Sequence, residues 1–184
     1  MKDPVRRAGA IGRGLALALI LPTVAAGTLA AANARSVGSC QTGGGSGAFV
    51  RDTGNAGQFE VKSGRLALER SQHVAVRDYA TQAVKDAEEM INRVKFINNA
   101  DTAARPSELS IREQGTLNRL GRLSGAEFDR EYMRAQIEVG ELLKKTFSDY
   151  RTYGDSAALR VYAAKAATDY DAQLLQARAI AGSL

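Results

Sequence analysis

The chain has 184 residues, with 25 basic and 20 acidic side chains, one histidine and one cysteine. Residues 1–34 hold four basic residues and one acidic residue, so the remaining residues carry 21 basic and 19 acidic side chains, a net charge of +2. A domain so close to neutral has no electrostatic basis for binding nucleic acid, and we exclude that class of partner.

The first 34 residues have the pattern of an export signal. Basic residues precede an uncharged run, residues 14–32, which ends in the small-residue sequence Ala32-Asn33-Ala34. This order is typical of a secretory signal peptide. We predict cleavage after Ala34 and an exported protein in the periplasm or at the outer membrane. The alternative is that residues 14–32 stay uncleaved as an inner-membrane anchor, which Pro22 and the many small residues disfavour.

Residues 35–47 are predicted to form a Gly/Ser-rich flexible tether. Within them, Cys40 ends a four-residue stretch, residues 37–40, that resembles the lipid-attachment box of bacterial lipoproteins. Cys40 is therefore an alternative mature start and a candidate membrane tether. The polar residues Asn33 and Arg35 lie between the apolar run and the box, and they favour cleavage after Ala34 instead. A lone cysteine cannot form a disulfide within the chain.

The rest of the chain is predicted to be all-α. Apolar residues recur at steps of three and four, and no segment shows the period-two alternation of a strand. We predict helices at residues 56–71, 73–98, 108–123 and 124–153, and a last helix that follows Asp155 and includes Ile180. Four substantial helices with short connections predict an antiparallel four-helix bundle, with residues 108–123 as an extra short helix.

The helical period also predicts which residues face the core. On the second helix these are Val76, Ala80, Ala83, Ala87, Met90, Val94 and Ile97. On the long helix they are Phe128, Tyr132, Ala135, Val139, Leu142 and Phe147. On the last helix they are Leu159, Ala163, Ala166, Tyr170, Gln173, Ala177 and Ile180. The aromatic residues Phe59 and Phe96 are expected to fill the core as well.

Two helix starts carry capping signals. Ser124 and Glu127 have the spacing of a capping box, in which the two side chains bond free amides at the start of a helix. Gly154 and Asp155 are predicted to end the long helix and to cap the last one.

Four segments resemble a known family: residues 49–52, 60–69, 76–80 and 120–133. They are similar to a bacterial family of ferritin-like domains of unknown function, whose members often carry the label of outer membrane proteins. The most specific part is the sequence Leu-Ser-Gly-Ala-Glu-Phe-Asp-Arg-Glu-Tyr-Met at residues 123–133. The resemblance covers residues 48–180. It implies that residues 48–184 form a ferritin-like bundle located in the cell envelope. The family it resembles has no established reaction.

The same resemblance implies where a metal site would lie. Members of the family carry histidines on the second, fourth and last helices, and this chain has Ala87, Gly140 and Gln173 at those positions. The family's acidic positions are matched by Glu60, Asp86 and Glu138. Carboxylates without imidazole make a poor transition-metal site, and a di-iron bundle needs a Glu-x-x-His motif on each of two helices. We therefore predict no cofactor.

Catalytic arrangements also find little support in the sequence. His73 is the single histidine, and residue 70 is arginine, so no Glu-x-x-His motif is present. We expect His73 to face solvent or to cap the second helix. Cys40 precedes the folded domain, so a cysteine-histidine pair is not expected. The sequence predicts a protein that is not an enzyme.

Two functional hypotheses follow. The first is an exported, non-catalytic structural or interaction bundle that has lost its metal site and binds an unknown envelope protein. The alternative is a ferritin-like metal-binding or redox protein that uses Glu60, Asp86 and Glu138, with Glu141 as a further ligand. In either case Gln173 lies on an apolar face and needs a hydrogen-bond partner, for which we expect Glu60.

Overall fold

Five α-helices, without any strand, make up the residues that the computed structural model describes, 45–99 and 108–184. The helices are α1 (Ser46–Arg70), α2 (Val74–Ile97), α3 (Ile111–Leu120), α4 (Gly125–Tyr153) and α5 (Ala157–Ala181). The predicted all-α class is confirmed. None of these five helices combines the length and the apolar character needed to cross a membrane. The predicted signal peptide, residues 1–34, and Cys40 lie outside the described residues.

The four long helices form two antiparallel hairpins. In the first, α1 packs on α2, with Gly57 opposite Ile91 and Gly64 opposite Val84. In the second, α4 packs on α5, with Gly140 opposite Leu174 and Lys144 paired with Asp171. Because the paired residue numbers rise on one helix as they fall on the other, the helices of each pair run in opposite directions.

The two hairpins meet mainly along α1 and α4. Phe49 lies 5.9 Å from Phe147 between ring centroids at one end, and Gln136 donates a hydrogen bond to Ser63 in the middle. These pairs make α1 and α4 antiparallel, so α2 and α4 run in the same direction. The connection between α2 and α4 therefore crosses the length of the bundle, and α3 lies in this crossover against α1 and α4. It is the extra short helix of the prediction.

Most residues predicted to face the core are buried, but Ile97 and Gln173 are only half-buried and two others are exposed. Phe96 is 76% exposed at the end of α2, and Leu142 is 55% exposed on α4. Phe96 follows the buried Val94 by only two residues, which places it on another side of the helix. On α4 the buried residue is Leu143 instead, which lies four residues after Val139 and four residues before Phe147. A step of five from Leu142 to Phe147 does not fit the helical period.

The first helix begins ten residues before its predicted start, so residues 46 and 47 of the predicted tether belong to α1. Asp155 explains this start. Its carboxylate accepts hydrogen bonds from the backbone amide of Ser46 at 2.9 Å and from the Tyr150 hydroxyl at 2.7 Å. The prediction that Asp155 caps the last helix is wrong, because that N-cap is Ser156, whose hydroxyl accepts from the Leu159 amide.

The predicted capping box at the start of α4 is also wrong. Ser124 is the N-cap, but its side chain makes no capping hydrogen bond within the described structure. Gly125, the first residue of the helix, has a φ of 57°, a left-handed conformation that changes the direction of the chain at the cap. A complete capping box occurs at the start of α3 instead. There Ser110 accepts from the Glu113 amide and donates its own amide to the Glu113 carboxylate at 2.7 Å.

Replacing Gly64 by alanine should destabilise the protein. An added Cβ would lie 2.5 Å from a methyl carbon of Val84, whose branched side chain has little freedom to move away. We expect the free energy of unfolding to fall by about 1–3 kcal/mol, the usual cost of overpacking. The measurement is urea denaturation followed by circular dichroism.

The matched control for this change is Gly115→Ala in α3, where an added Cβ meets no atom within 4 Å. The better helix propensity of alanine should leave this variant equally stable or more stable by up to about 1 kcal/mol. Equal destabilisation of the two variants would contradict close packing at Gly64.

Candidate functional site

A groove of about 910 Å³ lies between α2 and α5, the outer helices of the two hairpins. These helices contact each other less than the helices within each hairpin do. Both walls carry aromatic and charged side chains. The α2 wall includes Tyr79, Asp86, Glu89 and Arg93, and the α5 wall includes Tyr162, Lys165, Asp169, Tyr170 and Gln173.

Glu60, on α1, lies behind the groove and is 1% exposed. The Tyr170 hydroxyl donates a hydrogen bond to its carboxyl oxygen Oε2 at 2.8 Å. The pKa of Glu60 is raised to about 8, mainly because the carboxyl is buried; the hydrogen bond from Tyr170 offsets part of the increase, and the nearby charge of Asp86 adds to it. At neutral pH the Glu60 carboxyl is therefore mainly protonated.

Three buried tyrosines lie near Glu60, and one of them, Tyr170, contacts it. Burial raises the pKa of Tyr79, Tyr132 and Tyr170, and in each case the charge of Glu60 adds to the increase. The Tyr170 hydroxyl also lies 3.5 Å from the sulfur of Met90. The Tyr132 hydroxyl has no hydrogen-bond partner in the described part of the chain. The centre of the bundle is thus polar, with a carboxyl group and three phenols in place of an apolar layer.

The structure brings three of the predicted site residues together. Asp86 and Gln173 line the groove, and Glu60 lies directly behind it. The expected hydrogen bond between Gln173 and Glu60 is replaced by the one from Tyr170. Gln173 is only half-buried. A hydrogen bond between its side chain and the Tyr79 hydroxyl lowers the pKa of that phenol.

The other predicted site residues lie elsewhere. Glu138 is exposed on α4, where it pairs with Arg112 at 3.1 Å and also with Arg134. Glu141 is exposed and pairs with Arg178 of α5. The α4 face that turns inward carries Gln136, Val139 and Leu143, so these two carboxylates point away from Glu60.

Two of the positions at which the family resemblance implies histidine are packing positions in this chain. Ala87 is buried in the first hairpin beside Val61 and Ile91. Gly140 is buried against Leu174, and a Cβ there would lie 3.0 Å from a Leu174 methyl carbon. Neither position has room for an imidazole without movement of its neighbours.

Sequence reasoning missed Tyr79 as a site residue and treated Tyr132 and Tyr170 as core filling. The rings of the latter two do fill the core, but the Tyr170 hydroxyl donates to Glu60 and the Tyr132 hydroxyl is near enough for the charge of Glu60 to raise its pKa. The signal in the sequence that could have indicated a polar site is tyrosine, rather than phenylalanine, at interior positions of the helices. A buried hydroxyl needs a hydrogen-bond partner, which points to a polar group nearby.

The sequence pattern of one family matches residues 29–180. The chain belongs to the family described as a domain of unknown function, DUF4142. The match includes four complete helices and nearly all of α5, so the groove and the residues behind it lie within this DUF4142 domain. No curated protein shows significant sequence similarity to the chain.

Two solved structures share the fold of this DUF4142 domain. CopM in its Cu(II)-bound form is 16% identical, with a TM-score of 0.64 over 76% of this chain and 97% of that chain. CopM in its Ag-bound form is 18% identical, with a TM-score of 0.61 over 73% of this chain and 93% of that chain. At such low identity the similarity establishes the fold alone.

The residues behind the groove do not fit a copper or di-iron centre. Within residues 45–99 and 108–184, no three histidine, cysteine or acidic side chains lie close enough together to hold a metal ion. Glu60 and Asp86 supply two carboxylates and Met90 one thioether, whereas copper and silver favour sets of imidazole and sulfur ligands. His73 is exposed at the N-cap of α2, away from these groups.

The free energy of unfolding should fall as pH rises from about 5 to about 8. The folded protein keeps the Glu60 proton up to about pH 8, whereas the unfolded chain loses it near the ordinary value of 4.5. Between these values the folded state binds more protons, so stability decreases by at most about 1.4 kcal/mol per pH unit and then levels off.

Glu60→Gln tests this assignment, because the amide still accepts from Tyr170 but does not titrate. The variant should match the original protein near pH 5 and be more stable near pH 9 in urea denaturation. Glu138→Gln, which changes an exposed carboxylate, is the control. Parallel pH profiles of Glu60→Gln and the original protein would show that Glu60 is ionised throughout.

Proposed function

We propose that this DUF4142 domain is an exported, non-catalytic interaction protein of the cell envelope, and that the groove between α2 and α5 is its binding surface. The single observation that carries the proposal is the groove itself, with the buried Glu60 carboxyl and its hydrogen bond from Tyr170 behind it. A concave site with a few convergent polar groups is the usual form of a ligand-binding pocket.

The proposal includes the loss of an ancestral metal site. A single crossover between two helical hairpins is the connectivity of ferritin-like bundles, which supports a ferritin-like origin for the domain. In such bundles the inward side chains of all four helices hold the metal. Here Glu60 instead accepts a hydrogen bond from Tyr170, and packed residues occupy positions 87 and 140.

A metal-binding or redox function is the second candidate. Its support is the fold shared with CopM, whose structures hold Cu(II) and Ag, together with the sulfur of Met90 near the Glu60 carboxyl. We place this candidate second because the donor set around Glu60 lacks imidazole.

Elemental analysis distinguishes the two candidates. The purified protein is exposed separately to Cu(II), Ag(I), Fe(II), Mn(II) and Zn(II), desalted and analysed for bound metal. We expect far less than one ion per chain, and the same melting temperature with and without a chelator. Retention of one ion per chain, lost in the double variant Glu60→Gln with Asp86→Asn, would replace the first proposal by the second.

Mass spectrometry of the mature N-terminus tests the proposed export. We expect the protein recovered from bacterial cells to begin at Arg35, because the small-residue site ends at Ala34. A lipid-modified start at Cys40 would make the protein a lipoprotein tethered to a membrane. An intact Met1 in the membrane fraction would mean an anchor at residues 14–32, and an intact Met1 in the cytosol would contradict export altogether.

A further inference from the structure

We infer that the outer face of α5 is the contact surface of a symmetric dimer, in which the α5 helices of two copies of this chain pack antiparallel about Thr168. The inference goes beyond the proposed function, because it concerns a partner for the surface of the bundle rather than a ligand of the groove. The composition of this face, the order of its residues and the charges beside it each support a second copy.

The outer face of α5 is exposed and carries no charged residue. Val161 is 74% exposed and Leu175 is 72% exposed. The exposed residues of the face recur at steps of four and three along the helix: Ala157, Val161, Ala164, Thr168, Ala172, Leu175 and Ala179. Because Ala157 and Ala179 are 22 residues apart, the face is about 33 Å long and covers nearly the whole helix.

The opposite face of α5 is also apolar, because it packs in the core through residues such as Leu159, Tyr170 and Leu174. A helix that is apolar on opposite faces is usually covered on both. The outer face of α4 has the ordinary pattern of a solvated helix, with exposed charged residues at the same steps: Arg134, Glu138, Glu141 and Lys145. The outer face of α5 therefore has the composition of a contact surface.

The order of residues on this face is similar in both directions from Thr168. Val161 lies seven residues before Thr168 and Leu175 seven residues after it, whereas Ala164 and Ala172 lie four residues before and after it. A two-fold axis at Thr168 therefore places Val161 against the partner's Leu175. It also places Ala164 against the partner's Ala172, where the small side chains let the two helices approach closely. The face is complementary to itself in an antiparallel arrangement.

The charges beside the face favour the same arrangement. Lys165 and Asp169 lie on its groove side and form an exposed ion pair at 2.5 Å within the chain. Antiparallel packing about Thr168 brings Lys165 to within about 3 Å, measured along the helix axis, of the partner's Asp169. Two such reciprocal pairs form, and charge pairs beside an apolar seam set the orientation of packed helices. A parallel arrangement places the two ion pairs on opposite sides of the contact, where they do not meet.

A lipid surface fits this helix less well than a second copy does. A helix that lies on an anionic membrane carries an excess of lysine and arginine on its polar side. The exposed charged residues of α5 are balanced instead, with Lys165 and Arg178 against Asp169 and Asp171. The surroundings of the face therefore favour a protein contact.

The same symmetry brings the two grooves together. Val161, Lys165 and Asp169 also line the groove between α2 and α5. An antiparallel two-fold arrangement keeps the groove sides of both α5 helices on one side of the dimer. The dimer therefore presents two adjacent grooves on the same surface.

Sedimentation velocity of the mature protein over a range of concentrations tests the inference. A reducing buffer keeps Cys40 from linking two chains. Two faces about 33 Å long and about 10 Å wide make a small interface, so we expect a reversible equilibrium between monomer and dimer in the micromolar range.

Two variants locate the contact. Val161→Glu combined with Leu175→Glu places like charges against each other and should weaken the dimer by about a hundredfold or more. Because both residues are exposed, this double variant should keep the circular dichroism spectrum and the urea stability of the original protein. Val74→Glu, at a valine of α2 that is 71% exposed, is the matched control and should dimerise as the original protein does.

Cysteine cross-linking tests the orientation in a Cys40→Ser background. Thr168→Cys should form a disulfide-linked dimer, because this residue lies on the two-fold axis. Ala164→Cys should not, because antiparallel packing separates the two copies of this position by about 12 Å along the axis. A mixture of Ala164→Cys and Ala172→Cys should link the two variants. Equal cross-linking of Ala164→Cys and Thr168→Cys would contradict the antiparallel arrangement.

The outcomes separate the dimer from the other partners of this face. A protein that stays monomeric at high micromolar concentration overturns the inference, and so does a dimer that persists in the double glutamate variant. A monomer that binds vesicles of phosphatidylethanolamine and phosphatidylglycerol, with binding lost in the same variant, assigns the face to a lipid surface and also overturns it. Stoichiometric metal retention overturns the proposed function and leaves the dimer unaffected.

Discussion

The hydrogen bond from Tyr170 to Glu60 joins the two hairpins at the centre of the bundle. Burying a carboxyl group there is costly unless the group is neutral and hydrogen-bonded. Both conditions hold, because Tyr170 donates to Glu60 and burial raises the pKa of Glu60 to about 8. The neighbouring phenols of Tyr79 and Tyr132 keep the surroundings polar without adding a positive charge. The protonation state of the Glu60 carboxyl thus affects both the stability of the bundle and the charge behind the groove.

The groove is a consequence of unequal packing among the four long helices. Within the hairpins, small residues such as Gly57, Gly64 and Gly140 allow neighbouring side chains to approach the backbone closely. Between α2 and α5 the facing surfaces carry tyrosines and charged side chains, which do not interdigitate in the same way. Close packing within the pairs and looser packing between two of the helices leave an open space. That space is bordered by the most polar part of the interior.

The similarity between this chain and CopM is a similarity of fold alone. The two proteins share a helical fold at 16–18% identity, yet a fold does not determine which ligand its interior accepts. In this chain the acidic residues Glu138 and Glu141 are held in ion pairs at the surface, and the interior retains Glu60 beside phenols and one thioether. Such a set lacks the imidazole and thiolate ligands that copper favours. The donor atoms at the centre of this DUF4142 domain therefore differ from those of a di-iron bundle, which combine carboxylates with imidazoles.

The sequence by itself determined the helical class, four of the five helices to within a few residues and most of the core, because helical periodicity is a local property. It also placed the exposed His73 correctly. Only the tertiary structure decided the long-range pairs: that Asp155 starts α1, that Tyr170 rather than Gln173 bonds Glu60, and that Glu138 faces solvent. These outcomes depend on how the helices are rotated and spaced against one another. Steps of three and four along one helix carry no information about that rotation.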